Sequence, residues 1–212
     1  MNPLFLVINV VLAYFIGAIP VAYMAGRFYK NIDIREYGSG NMGATNAFRV
    51  LGKGPGTLVL LLDILKGLIP ITLLANIFDL HAPLALVLIA VAAVAGHNWT
   101  VFMKFKGGKG MATSLGVLIG LAIQLPGIRV VLGAALLTWL VIFFIFGYVS
   151  VASIAAAVVF PIMMVAVNAP FSMKVMAIGL CMVIVFKHKS NIRRLMRGQE
   201  NRVYFPFHKR PY

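Results

Sequence analysis

Three short segments of this chain concentrate the residue types that hold a phosphate group. The first is Gly38-Ser-Gly-Asn-Met-Gly-Ala-Thr-Asn-Ala-Phe-Arg49. Its glycines let backbone N–H groups turn towards a ligand. Ser39, Asn41, Thr45 and Asn46 add neutral hydrogen-bonding groups, and Arg49 adds a cation, which together suit an anion. The second runs from Gly96-His97-Asn-Trp99 to Phe105-Lys-Gly-Gly-Lys-Gly110. It offers backbone amides and a lysine just ahead of an apolar run starting at Met111, the same logic in another composition. The third is His188-Lys-Ser-Asn191-Ile-Arg-Arg194, with Gly198-Gln-Glu200 after it. On a helix His188 and Asn191 lie one turn apart and share a face. Glu200 is the lone acid of a basic tail and is expected to pair with an arginine.

Two formal motif matches fail on context. Gly38, Gly40 and Gly43 fit a dinucleotide fingerprint, but no strand precedes them and no βαβ unit surrounds them. Lys-Gly-Gly-Lys-Gly lacks the spacing of a phosphate-binding P-loop. Asp63 and Lys66 stand at i, i+3 within an apolar run, where they can pair. An intramembrane charge pair is either a functional site or a structural tie between helices. Gly116 and Gly120, at i, i+4, read as a close helix-packing face.

The elements that position these segments are membrane helices. Of 212 residues, 61% are hydrophobic and 11% charged, with a mean hydropathy of +0.96. A soluble domain is nearer half apolar and a quarter charged, so a soluble enzyme, a disordered chain and a disulfide scaffold are excluded. One cysteine, Cys181, allows no internal disulfide and no cysteine-based metal site. Apolar runs fall at about residues 3–26, 57–78, 84–103, 111–125, 130–146, 151–167 and 171–186. A span needs roughly 20 mostly apolar residues, and the fourth and seventh runs are short. The first run has no basic leader and is too long for a signal peptide. Barrel strands would alternate, and these runs do not. The expected fold is therefore an all-α bundle of seven transmembrane helices forming a single domain over residues 1–212. A five-helix version with re-entrant segments is the alternative.

The net charge of +14 reads as topology rather than as nucleic-acid binding, because the basic residues sit between apolar runs. Sixteen of the 19 lysines and arginines lie after the first run, after the third run and in the tail. With seven helices these segments share one side with the turn at residues 147–150. The positive-inside rule then places the N-terminus outside and the tail in the cytoplasm.

Taken together, and in this order, the three segments closely resemble the PlsY family, the bacterial acyl-phosphate:glycerol-3-phosphate acyltransferases. Asp-Ile-Leu-Lys-Gly at residues 63–67 fits as well. The resemblance covers essentially the whole chain. It implies a multi-pass enzyme of the bacterial inner membrane with its active site at the cytoplasmic face. The implied reaction moves a fatty acyl group from acyl phosphate to the sn-1 hydroxyl of glycerol 3-phosphate, giving lysophosphatidate and phosphate, the first acylation of phospholipid synthesis. Carried onto matching positions, Ser39, Asn41, Thr45 and the loop of Gly107, Gly108, Lys109 and Gly110 would surround the acyl phosphate. Arg49, Lys109, Ser150, His188 and Asn191 would hold glycerol 3-phosphate, with Ser153 as the substitute for Ser150. Asn46 joins the substrate-binding set, and Ser39, Lys109 and His188 are the catalytic candidates. The proton acceptor is either His188 or the donor's own phosphate. Membrane lipid is the expected environment. No cofactor, metal or nucleic-acid partner is expected, and the oligomeric state is open.

Other readings fit less well. No histidine is followed by Asp in the His-x-x-x-x-Asp spacing of acyl-CoA or carrier-protein acyltransferases. Five scattered acids do not make the carboxylate cluster of a metal-dependent phosphatidyl transferase. A transporter for an organic phosphate would place its polar groups near the bilayer midplane, whereas these collect at one face.

Overall fold

The computed structural model describes residues 2–204. Among them every regular element is helical, as the apolar runs require. The chain divides into two compact units, Met1–Pro126 and Gly127–Tyr212.

The first unit opens with α1 (Pro3–Ala18), capped by the Asn2 side chain, which accepts from the Leu4 N–H at 2.9 Å. The expected single run over residues 3–26 is broken at Ile19–Pro20. Proline lacks the N–H that would continue the ladder, so carbonyls at the end of α1 lose their partners. Thr100 Oγ1 donates to the Ala18 carbonyl at 2.6 Å, and Lys66 Nζ donates to that of Ile19 at 2.8 Å. Beyond the break, α2 (Val21–Lys30) is amphipathic and ends at Asn31 in the left-handed conformation.

The polar stretch that follows is more ordered than its composition suggests. A 3₁₀ turn (Ile34–Glu36) and α3 (Ala44–Leu51) pack with α2 around Val21, Ala22, Ile34, Ala47, Leu51 and Val59. Burying those side chains is what holds the segment, since three short helices are marginal alone. Next, α4 (Lys53–Ile69) passes through a wide π turn (Pro70–Leu74) into the short α5 (Ala75–Ile77). α6 (Pro83–Asn98) and α7 (Met111–Gln124) complete the unit.

Glycines let these helices touch backbone to backbone. A side chain at Gly17 would overlap the Ala93 carbonyl, and one at Gly96 the Tyr14 carbonyl, so α1 and α6 are in direct contact. Gly67 and Gly116 do the same for α4 and α7, against Thr113 and Ile64. Gly120 meets the Ile71 side chain, so the Gly116/Gly120 face packs as expected.

The second unit holds α8 (Arg129–Phe146), α9 (Val149–Ala166), α10 (Phe171–Lys187) and α11 (Lys189–Met196). α8 and α9 meet at Gly147, which takes the left-handed conformation (φ 74°) that closes a helix. Most of α8 is exposed apolar surface, as lipid rather than water would favour.

Five stretches are long and apolar enough to cross a bilayer: Pro3–Lys30, Lys53–Ile77, Pro83–Met103, Pro126–Phe146 and Val149–Ala166. A sixth arises if Phe171–Lys187 and Lys189–Met196, bent by 53°, count as one span. Each of the seven apolar runs is helical, but Met111–Gln124 has only 14 residues. At 1.5 Å per residue it reaches about 21 Å against a core of about 30 Å. Part of the basic tail is helical, as α11, which puts His188 and Asn191 one turn apart. The tail's His208, Lys209 and Arg210 lie outside the described residues.

Candidate active site

In the first unit, the loop carrying Ser39 and Asn41 is built around Asn46. This residue lies on the first turns of α3 and is 1% exposed. Its Oδ1 accepts from the Ser39 N–H at 2.9 Å, and its Nδ2 donates to the carbonyls of Ile34 (3.3 Å) and Tyr37 (3.1 Å). The amide is thus engaged on both sides with the loop backbone. Gly38 and Gly40 sit at φ 62° and 69°, a region that favours glycine, and a side chain at Gly38 would strike Asn46 Oδ1. The outcome is a tight turn with Ser39, Thr45 and Arg49 exposed and Asn41 half-buried.

Other cations of this segment hold the fold. Arg35 clasps Asp33 through Nε (2.9 Å) and a terminal nitrogen (2.6 Å). Those hydrogen bonds outweigh burial and hold the Asp33 carboxyl down to about 2. Lys30 Nζ donates to the Val50 carbonyl at 2.7 Å.

The glycine loop lies on the end of α6. The Gly108 N–H donates to the His97 carbonyl at 3.0 Å. A side chain at Gly107 would overlap that carbonyl, one at Gly108 the His97 ring, and one at Gly110 (φ 80°) the Asn98 amide. Gly108 and Gly110 are buried, whereas Gly107 and Lys109 are half-buried. Only glycine lets the backbone approach this closely, and α7 starts immediately beyond it.

In the second unit, Glu200 gathers the predicted residues. Its Oε1 accepts from Ser150 Oγ (2.9 Å) and Asn191 Nδ2 (2.7 Å), and its Oε2 accepts from Arg194 Nε (2.8 Å). Burial pushes this carboxyl up, but the hydrogen bonds from Asn191, Ser150 and Arg194 prevail and hold it below the usual carboxylate range. The expected arginine partner is therefore Arg194. What the sequence did not reveal is that the same carboxylate orients Ser150 and Asn191, on α9 and α11. Ser153 is turned elsewhere, with its Oγ accepting from Trp139 Nε1 at 3.3 Å.

His188 is 3% exposed at the junction of α10 and α11. Its Nδ1 lies 2.8 Å from the Ile184 carbonyl, which can only accept, so Nδ1 carries the hydrogen. A neutral ring then has its lone pair on Nε2. Beyond Glu200, Arg202 Nε donates to the Phe146 carbonyl (2.9 Å) and the Val203 N–H to that of Gly147 (2.8 Å). The tail is thereby strapped to the turn ahead of Ser150.

Asp63 and Lys66, left open by the sequence between function and tie, form a buried ion pair of 2.9 Å that also touches His97. The organising roles of His97 and Asn98 in the first unit and of Glu200 in the second were not legible in sequence, although all three stand in segments rich in phosphate-holding residue types.

Comparison with known proteins follows the same lines. Residues 7–198 match the model of a family described as glycerol-3-phosphate acyltransferase. A glycerol-3-phosphate acyltransferase of Fusobacterium nucleatum is 40% identical over 196 residues, covering 92% of this chain and 97% of its own. One from Synechococcus elongatus is 40% identical over 200 residues, covering 91% of each chain. The crystal structure of PlsY, an integral membrane glycerol 3-phosphate acyltransferase, in its glycerol 3-phosphate form superposes with a TM-score of 0.83. It is 37% identical, over 94% of this chain and 96% of that one. The lysophosphatidic acid form of PlsY gives 0.81 at 38% identity, over 93% and 94%. The chain belongs to the glycerol-3-phosphate acyltransferase family, integral membrane enzymes of phospholipid synthesis.

Proposed function

We propose that this chain transfers a fatty acyl group from acyl phosphate to the sn-1 hydroxyl of glycerol 3-phosphate, releasing lysophosphatidate and inorganic phosphate. The observation that carries the reading is the likeness, over more than nine-tenths of the chain, to PlsY in both a glycerol 3-phosphate form and a lysophosphatidic acid form. Those two molecules differ by one acyl group, so they are acceptor and product of one acylation.

The donor assignment rests on the resemblance and on chemistry. An acyl phosphate is a mixed anhydride with a good leaving group. It needs charge stabilisation and positioning more than a covalent nucleophile. In the step, the acceptor hydroxyl oxygen forms a bond to the acyl carbonyl carbon and the bond from that carbon to the phosphate oxygen breaks. The hydroxyl proton passes to the departing phosphate.

Ser39, Asn41, Thr45, Gly107, Gly108 and Gly110 are assigned to the acyl phosphate, with Asn46 shaping their loop. Arg49, Lys109, Ser150, His188 and Asn191 are assigned to glycerol 3-phosphate. His188 Nε2 serves that substrate as a hydrogen-bonding group, and the alternative is that it takes the hydroxyl proton. Seven spans, an outside N-terminus and a cytoplasmic site complete the proposal, supported by the distribution of lysine and arginine, and an inner-membrane location follows from the resemblance.

The test is a metal-free assay of purified protein in lipid, with palmitoyl phosphate or palmitoyl-CoA and labelled glycerol 3-phosphate. Lysophosphatidate and phosphate in equal amounts, with acyl phosphate only, is the expected result. Product from palmitoyl-CoA would overturn the donor. No product from a folded sample that still binds glycerol 3-phosphate would favour a transporter of organic phosphate.

A further inference from the structure

Lys66 and Asp63 lie in mid-helix on α4, 5% and 1% exposed, among apolar neighbours. A buried charge needs partners to offset its desolvation. Lys66 has three. Its ammonium carries three hydrogens and meets three groups: Asp63 Oδ1 at 2.9 Å, the Ile19 carbonyl at 2.8 Å and His97 Nδ1 at 3.2 Å. An ammonium only donates, so His97 Nδ1 must accept, and the ring hydrogen sits on Nε2. That Nε2 edge faces Gly108, where a side chain would collide with it. The His97 carbonyl holds the Gly108 N–H at 3.0 Å. One residue therefore meets the glycine loop with both its backbone and its ring, and the ring's tautomer is dictated from α4.

The ion pair also ties the helix break at Ile19 to α4. Three elements thus converge on the histidine beneath the loop: the end of α1, the middle of α4 and the end of α6. None of the three side chains has been given a substrate role. We propose that Asp63, Lys66 and His97 are positioning residues that set the conformation of the loop of Gly107, Gly108, Lys109 and Gly110. Lys66 fixes the hydrogen of His97 on Nε2 and Asp63 balances the buried charge. The inference rests on the reading of that loop as a phosphate-holding segment.

The experiment compares His97→Phe, His97→Gln and the charge-neutral double variant Asp63→Asn/Lys66→Met with the full-length enzyme in lipid. His97→Phe keeps a ring but has no acceptor for Lys66, whereas His97→Gln keeps an acceptor and loses the ring. Hydrogen–deuterium exchange of the loop amides is measured beside steady-state kinetics. Displacing a supporting group loosens the site it orients, so loop exchange should quicken and KM for acyl phosphate should rise about tenfold or more in His97→Phe. The value of kcat at saturation should fall by about threefold or less, because the reacting groups themselves are intact. His97→Gln should lie between His97→Phe and the parent. If His97→Phe does not fold, the double variant gives the same readouts, since it removes the group that dictates the tautomer without stranding a charge.

Lys109→Ala separates the two ideas. Parent-like kinetics in Lys109→Ala would overturn the phosphate-loop reading. Impairment there, with parent-like loop exchange and KM in His97→Phe and the double variant, would overturn the positioning role alone.

Discussion

Replacing Glu200 by glutamine exchanges one carboxylate oxygen for an NH2 and removes the charge. Oε1 accepts from two donors, Ser150 and Asn191, and Oε2 from Arg194. All three neighbours donate, so the new NH2 must face a donor in either orientation. The less costly arrangement keeps the amide oxygen on Ser150 and Asn191 and turns the NH2 towards Arg194. A hydrogen bond to a charged group is worth about 1.5–3 kcal/mol. The Arg194 side chain is 30% exposed and can turn to water, so the lower half of that range applies. We therefore expect a loss of about 2 kcal/mol, or a fall in unfolding temperature of roughly 4–8 °C for a chain of this size. Glu200→Ala should cost more, because Ser150 and Asn191 then both lose their acceptor.

The pH dependence carries its own sign. The folded carboxyl is held below its ordinary value. Its stabilisation is thus complete above the unfolded pKa, about 4.3, and is lost as pH falls through the folded value. The parent enzyme should lose this contribution only in acid, whereas Glu200→Gln should lack it at every pH. Thermal unfolding followed by tryptophan fluorescence from about pH 2 to pH 8, beside KM for glycerol 3-phosphate near neutrality, checks both. Parent-like unfolding and KM in Glu200→Gln would refute the idea that this carboxylate organises Ser150 and Asn191.

Three further outcomes follow from the geometry. Asn46→Ala removes the acceptor for Ser39 N–H and the donors to Ile34 and Tyr37. It should destabilise the enzyme by about 2–4 kcal/mol and raise KM for acyl phosphate, by thermal unfolding and steady-state kinetics. Gly116→Ala drives a methyl into the Ile64 carbonyl and should cost about 1–3 kcal/mol, whereas Gly179→Ala, with nothing within 4 Å, should be neutral or better in the same unfolding assay. His188→Ala should mainly raise KM for glycerol 3-phosphate, and a loss of about 10²–10⁴ in kcat at saturation would instead make it the proton acceptor.

The helices of the apolar runs were legible in the sequence because each announces itself locally. A run of some 15 to 20 apolar residues bounded by Pro, Gly or charge has few alternatives in lipid, where every backbone N–H must be satisfied within its own segment. The same holds for the Asp63/Lys66 pair, since i, i+3 neighbours on a helix meet whatever surrounds them. The three segments rich in glycine, cations and hydrogen-bonding side chains were legible by composition, as were their order and spacing. The break at Pro20 was less so, because apolar residues continue across it.

The partnerships between distant residues were decided by tertiary structure alone. Glu200 reaches Ser150 across 50 positions, Lys66 reaches His97 across 31 and Ile19 across 47. No periodicity links such positions. Each contact exists because the fold brings two points of the chain to 3.2 Å or less, and a buried polar group there must find a partner or bear the cost of desolvation. Asn46 shows the difference most clearly. Its type and place in the Ser39 segment marked it as a ligand group. Folding α3 beneath that segment turned its amide onto the loop's own backbone, where it shapes the turn that presents Ser39.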